Sequence, residues 1–310
     1  MKYQALYRKY RPKTFDDVYG QQIVVQTLKN VIKNNKLTHA YLFVGPRGTG
    51  KTSIAKIFAK TINCLHPEDG LSCEKCDICI SNNSNENVDI IEMDAASNNG
   101  VDEIREIRNH ITLLPTVSKY KIYIIDEVHM LTTGAFNALL KTLEEPPEYA
   151  VLILIVSNES MLLNTIKSRC IKIKFSQISN EALEEYLKKN YNVDEVSKNL
   201  LKLCDGSIGK ALKALEKKEI YKQIDDLVDS LETKDFIEIL NNSKFIYDKE
   251  NINQILDYMI VCFYGKIEKN HKFMNCINYV SDSMRRLKLN SNFDMTIDNL
   301  LLNVWEGLRQ

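Results

Sequence analysis

The 310-residue sequence has no surplus of charge, its 41 Lys plus Arg being offset by 41 Asp plus Glu. A balanced chain sets up no global positive field toward nucleic acid or anionic lipid, so any contact with a polyanion has to be local or shared among subunits. Long apolar runs are missing too. Nothing approaches the roughly 20 residues of a membrane-spanning helix, and the opening MKYQALYRKYRPKTF lacks the apolar core of a signal peptide. A cytoplasmic location without membrane contact is the expectation. Internal repeats are absent. Without a secretory signal, the eight cysteines are expected to persist as thiols, which favours metal ligation wherever they cluster.

What is present points to more than one domain, since a single core rarely grows past about 250 residues. Four runs rich in β-branched and aliphatic residues, at 40–44, 88–93, 121–125 and 151–156, are continuous rather than alternating and are separated by helical patterns. That is the α/β pattern of a parallel sheet flanked by helices on both faces. Past about Phe175 only helical spacing continues. Ile252, Ile255, Leu256, Met259, Ile260 and Phe263 fall on one stripe, read as core packing. Asp205 and Gly206 interrupt the helical pattern and Ser207 restarts it, which suggests one helical segment over 176–220 and a second over 221–310. The Asn/Ser-rich stretch 81–87 reads as a surface loop.

Two motifs carry chemistry. Gly45, Pro46, Arg47, Gly48, Thr49, Gly50, Lys51 and Thr52 spell GxxxxGKT directly after a strand and directly before a helical pattern that opens at Ser53. Glycines let the backbone turn its amides onto phosphates, Lys51 brings a cation to the β/γ oxygens, and the Thr52 hydroxyl suits Mg2+. The run 122–125 leads into Asp126 and Glu127, the first fit to hold Mg2+ through its water shell and the second to polarise an attacking water. His129 nearby is read as a packing or hydrogen-bonding residue. Cys64, Cys73, Cys76 and Cys79 have the spacing C-x8-C-x2-C-x2-C. Four thiolates suit a closed tetrahedral Zn2+ site that staples an insertion; an iron–sulfur cluster or free thiols are the alternatives. Cys170, Cys204, Cys262 and Cys276 are scattered and read as small buried apolar residues.

In order along the chain, YRKYRPKTFDDVYGQ, HAYLFVGPRGTGKTSIA, the four cysteines, IEMDAASNNGVDEIR, YIIDEVHMLTTGAFNALLKTLEEPP and TIKSRC resemble the gamma/tau ATPase subunits of the bacterial DNA polymerase III clamp loader. The resemblance is unbroken over 1–175 and looser over 176–310. It implies an AAA+ P-loop ATPase domain over 1–175 with a zinc insertion at 64–79, an all-α lid over 176–220 and an all-α collar over 221–310. It further implies an adenine pocket around Arg11, Pro12, Val18 and Tyr19, where a solvated basic arm is the alternative. Ser157 or Asn158 would be a polar γ-phosphate sensor, and Arg169 of the SRC motif would reach a neighbouring subunit's ATP, although as a bare residue it reads as a surface charge.

The implied cofactors are ATP, Mg2+ and Zn2+. The implied partners are delta, delta-prime and further gamma/tau copies, the sliding clamp and primer-template DNA. One departure stands out. Where the family's lid carries a sensor arginine, this chain has Gly209, followed by Lys210, and the stretch GSIGKAL is similar to delta-prime. An inert, delta-prime-like scaffold is therefore an alternative to a motor, and an unrelated P-loop remodelling ATPase is a third reading.

Overall fold

A computed structural model describes residues 12–84, 86–191, 193 and 196–309. These form two compact units, one ending at Ala182 and one beginning at Leu183. The first is built on five strands, β1 (Ala40–Val44), β2 (Ile90–Asp94), β3 (Lys121–Asp126), β4 (Ala150–Val156) and β5 (Ile171–Lys174), in the order β2-β3-β4-β1-β5. All neighbours are parallel.

The sheet is legible as alternate residues feeding two cores, because successive strand side chains point to opposite faces. Leu42, Tyr123, Ile125, Leu152 and Leu154 join one cluster with Ile104, Ala135, Leu139 and Ile166. Tyr41, Phe43, Ile122, Ile124, Ile153 and Ile155 join the other with Phe15, Leu28, Ile54 and Phe58. Helices α1 (Gln22–Lys33) and α2 (Lys51–Asn63) therefore cover one face, and α4 (Val101–Ile111), α5 (Thr133–Glu144) and α6 (Asn164–Lys167) the other; the short α3 (Asp77–Asn83) lies between α2 and β2 in sequence. With both faces covered, β1 and β4 are buried along their whole length, which explains their continuous apolar runs.

Three local expectations need correcting. The fifth strand, IKIK, was not among the four runs: it is an edge strand in which Ile173 is buried while its neighbours are exposed, and its lysines blunt the open edge. Within the stretch 81–87 read as a surface loop, the first three residues complete α3. Asn87, 7% exposed, donates its Nδ2 to Ser118 Oγ (3.2 Å) and accepts from the Asp89 amide (2.9 Å), so it braces the interior.

The second unit is helical: the rest of α7 (Asn180–Tyr191), then α8 (Lys198–Cys204), α9 (Ile208–Leu215), α10 (Lys218–Ser230), α11 (Phe236–Asn242), α12 (Ile252–Lys266), α13 (Phe273–Lys288) and α14 (Phe293–Arg309). The break at 205–206 follows from backbone chemistry. Asp205 (φ 50°) and Gly206 (φ 66°) are left-handed and end α8, and the Ser207 hydroxyl accepts from the Lys210 amide (3.2 Å) to start α9. The stripe on α12 is core, with Ile252, Ile255, Leu256, Met259 and Phe263 buried and Ile260 half-buried. The expected border at 220/221 falls inside α10, and the observed division at 182/183 falls inside α7. No helix among the described residues is long and apolar enough to cross a membrane.

Candidate nucleotide site and metal centre

The GxxxxGKT loop occupies the carboxyl end of β1, where open α/β sheets bind ligands. Gly48 (φ 81°) and Gly50 (φ 89°) are left-handed, a conformation that glycine adopts without strain. Gly45 is required for a different reason. A Cβ there would lie 2.5 Å from the Phe175 carbonyl oxygen, while the Gly45 amide donates to Val156 O at 3.2 Å. The loop is thus pinned between the ends of β4 and β5. Helix α2 begins at Lys51, and its first ladder bond runs from the Ile54 amide to Gly50 O (2.9 Å). The Lys51 and Thr52 amides therefore precede the ladder without an intrahelical acceptor, at the positive end of the helix dipole. That is a cradle for an anion with a cation beside it, and it fits a triphosphate.

Lys51 is 7% exposed, and its Nζ donates to Gly45 O (2.6 Å) and Pro46 O (2.7 Å). Burial pushes its pKa down and Arg47 adds to that, against the upward pull of Asp126 and Glu127. Thr52 Oγ1 donates to Asp126 Oδ2 at 2.6 Å, so a hydroxyl and a carboxylate oxygen, both hard ligands, share one spot at the ends of β3 and α2. They suit Mg2+. Glu127 follows in a left-handed turn (φ 48°), with its amide on Asp126 Oδ1 (2.9 Å). Its Oε1 accepts from Arg47 Nε (2.8 Å), and its Oε2 lies 3.5 Å from the buried His129 Nδ1, which forms no hydrogen bond. Both acidic side chains therefore face the loop. The Arg47–Glu127 pairing, between positions far apart in sequence, had no sequence signal.

The sensor candidates are divided. Ser157 directly follows the strand residue whose carbonyl receives Gly45, and its hydroxyl is 3.9 Å from Met161 Sδ. The Asn158 side chain instead caps the short 3-10 turn Glu159–Met161 by accepting from the Ser160 amide (3.0 Å). Arg169 is not brought to the loop. Register sets Tyr41 opposite Ile171 and Val44 opposite Lys174, so an arginine preceding β5 stands at the far end of the sheet from a loop that follows β1, at least about 10 Å of strand away. There its Nη2 binds Glu144 Oε1 (2.7 Å) and its Nη1 donates to Thr165 O (2.8 Å), with the side chain 35% exposed. So placed, it does not approach the GxxxxGKT loop of its own chain.

Of the expected adenine pocket, Arg11 lies outside the described residues. Pro12, Val18 and Tyr19 are half-buried, and Val18 packs on the cluster around Phe58. Gly20 is so close to Ile178 that a Cβ would meet it at 2.5 Å, and Gln21 Nε2 donates to Ser176 O (2.6 Å). Residues 175–178 thus touch both this N-terminal segment and the first glycine of the loop.

At the other end of α2, the ligand atoms of Cys64, Cys73, Cys76 and Cys79 all lie within 4.8 Å of one another. Zn–S bonds of about 2.3 Å in a tetrahedron put sulfurs roughly 3.8 Å apart, close to the 4.0 Å of Cys73 and Cys79. Backbone amides point at sulfur, Cys73 N–H to Cys64 Sγ (3.2 Å) and Cys76 N–H to Cys73 Sγ (3.4 Å). Amides of Lys75 and Cys76 draw the Cys73 thiol down to about 6, whereas burial pushes Cys64 and Cys79 up. No pair is disulfide-bonded. The donor set fits one thiophilic ion. Cys204, Cys262 and Cys276 are buried singly, and Cys170 is half-buried against the sheet core.

A family model described as DNA polymerase III, delta subunit, matches residues 20–179. The tau subunit of DNA polymerase III from Bacillus subtilis (strain 168) is 48% identical over 222 residues, which is 70% of this chain and 39% of that protein. The tau subunit from Escherichia coli (strain K12) is 40% identical over 218 residues, 68% of this chain and 34% of that protein. The chain thus spans well under two-thirds of these relatives. Among solved structures, a DNA polymerase III gamma subunit-related protein from Thermotoga maritima shares the fold, with a TM-score of 0.51 at 19% identity over 92% of this chain and 99% of that one. With that model matching just over half of its length, the chain belongs to the DNA polymerase III delta-subunit family, and these curated relatives align it with the gamma and tau subunits.

Proposed function

We propose that this chain is an ATP-hydrolysing subunit of a sliding-clamp loader, acting in DNA replication. The observation that carries the reading is the Thr52–Asp126 hydrogen bond at 2.6 Å, which joins the phosphate loop to the acidic pair at the end of β3. The amides at the head of α2 and the Lys51 ammonium hold the β/γ oxygens of ATP. Thr52 and Asp126 hold Mg2+, which when bound neutralises charge on those oxygens. Glu127, once its carboxylate leaves Arg47, orients and deprotonates the attacking water, and Ser157 or Asn158 senses the γ-phosphate. Arg169, at the far end of its own sheet, serves the site of a neighbouring copy or paralogue, where an arginine stabilises developing phosphoryl charge. Pro12, Val18 and Tyr19 border the base, with Arg11 in the same motif.

The four cysteines hold one structural Zn2+. The partners are delta, delta-prime and further gamma/tau copies in the ring, the clamp, and primer-template DNA gripped through its backbone without sequence preference, in keeping with a neutral chain. The helical unit supplies a lid and a collar. The test is ATP turnover of the purified protein with and without clamp and primed DNA, in which stimulation by both together is expected. No turnover in any combination, or full turnover in Lys51→Ala, would sink the reading.

A second reading, an inert delta-prime-like scaffold, draws on Gly209: the position contributes no charge, and the nearest atom to a Cβ there is Ser207 Oγ at 3.8 Å. The assay separates the two, since a scaffold binds nucleotide without turning it over.

A further inference from the structure

Lys60 is a buried cation that the chemistry above leaves unused. It lies on α2 about two and a half turns beyond Lys51, with its side chain only 4% exposed. An ammonium has three N–H donors. Here they go to three separate segments: Glu74 Oε1 (2.5 Å), Lys13 O (2.8 Å) and Asn83 Oδ1 (3.1 Å). Burying a charge is costly unless it is paired and hydrogen-bonded, so each of these acceptors matters.

The three segments have distinct allegiances. Glu74 stands between Cys73 and Cys76 in a left-handed turn (φ 58°) and is further held by Ser72 Oγ and by Asn83 Nδ2 (3.0 Å). Its position is therefore set by the cysteine loop. Lys13 opens the turn Phe15–Asp17, capped by Thr14, whose Phe15 is buried beside Ile54 and Phe58 of α2 and whose next residues are Val18 and Tyr19. That segment ends at Gly20 and Gln21, which meet residues 176–178 just past the Phe175 that seats Gly45. A continuous path of hydrogen bonds and packing thus runs from the cysteines to the margin of the phosphate loop.

We propose that Lys60 couples the four-cysteine metal centre to the nucleotide site, so that loading of the centre sets how tightly the protein holds ATP. A bound ion fixes Glu74, Glu74 fixes the ammonium, and the ammonium holds the Lys13 carbonyl and with it the segment bordering the loop. With the centre emptied, Glu74 loses its anchorage, Lys60 turns toward water, and that segment relaxes. The proposal rests on the nucleotide and zinc readings above.

The experiment is direct titration of the 310-residue protein with a fluorescent ATP analogue, alongside metal content by elemental analysis and circular dichroism for fold. Lys60→Met keeps the stem and removes the charge. It is expected to retain its metal yet bind the analogue about three- to ten-fold more weakly, the worth of one or two hydrogen bonds. Chelator treatment of the unaltered protein should cause a similar loss, and chelating Lys60→Met should add less than about two-fold, because the two changes cut the same path. Glu74→Gln provides the same comparison if Lys60→Met does not fold. Metal-loaded variants that bind as tightly as the unaltered protein, or losses that multiply independently, would overturn the coupling. Failure of the unaltered protein to bind the analogue, or of its preparation to contain metal, would overturn the underlying site readings instead.

Discussion

Both units bury an apolar core but treat their polar groups differently. In the sheet unit, Lys51, Thr52, Asp126 and Glu127 gather at strand ends, where loops leave the backbone open to a ligand. In the helical unit a half-buried polar cluster pairs within itself instead. Asp225 on α10 accepts from Tyr258 Oη (2.9 Å), Asn199 Nδ2 (3.2 Å) and Cys262 Sγ (3.3 Å), and Ser197 Oγ lies 3.3 Å from the tyrosine hydroxyl. The carboxylates of the sheet unit meet the glycine loop and the head of α2, whereas Asp225 joins α8, α10 and α12. Polar atoms aimed at open backbone read as function, and polar atoms aimed at each other read as architecture.

The sharpest way to break that contrast is to neutralise a carboxylate in each unit. Glu127→Gln is expected to lower ATP turnover by about 10²–10⁴-fold, the usual worth of a positioned base, with nucleotide binding retained. Asp225→Asn should leave turnover near normal and instead lower thermal stability by about 1–3 kcal/mol, as its donors lose a charged acceptor. Equal effects on turnover, measured by steady-state phosphate release, would erase the distinction between the units.

Arg169 extends the comparison within the sheet unit itself. Because it stands at the opposite end of the strands from its own loop, Arg169→Ala should leave analogue binding unchanged in isolated protein. In a mixed assembly it should lower turnover at the neighbouring site by about 10³-fold. A defect confined to the altered chain's own site would place the arginine's role in its local bond to Glu144 instead.

Much of this was legible in the sequence, for identifiable reasons. β1, β3 and β4 are buried on both faces, so their apolar runs are continuous, and GxxxxGKT and the four cysteines are local motifs whose spacing encodes their geometry. The edge strand at 171–174 escaped because one-sided burial leaves an alternating pattern four residues long, shorter than periodicity resolves. Lys60, the Arg47–Glu127 pair and the contact of Gly45 with Phe175 escaped because each joins positions remote in sequence, which only the fold brings together. The division at 182/183 falls inside α7, just past the Ser179 cap that accepts from the Ala182 amide (3.2 Å), and neither glycine nor proline marks it.

The smallest expected effect concerns a carboxylate of the sheet unit built the helical unit's way. Asp89, 1% exposed, accepts the amides of Thr116, Val117 and Ser118, each at 2.8 Å, and so folds the loop before β3. Burial pushes its pKa up, but the three amide bonds outweigh burial and hold it below the usual carboxylate value. A carboxyl depressed in the folded state contributes stability that is fully present above its unfolded pKa of about 3.9 and is lost as pH falls through the lower folded value. Asp89→Asn should therefore cost about 1–2 kcal/mol near neutral pH, by urea unfolding, and progressively less below about pH 4. A difference that stayed constant into acid would mean that Asp89 acts by shape rather than charge, and the loop would then owe its form to packing as the helical unit does.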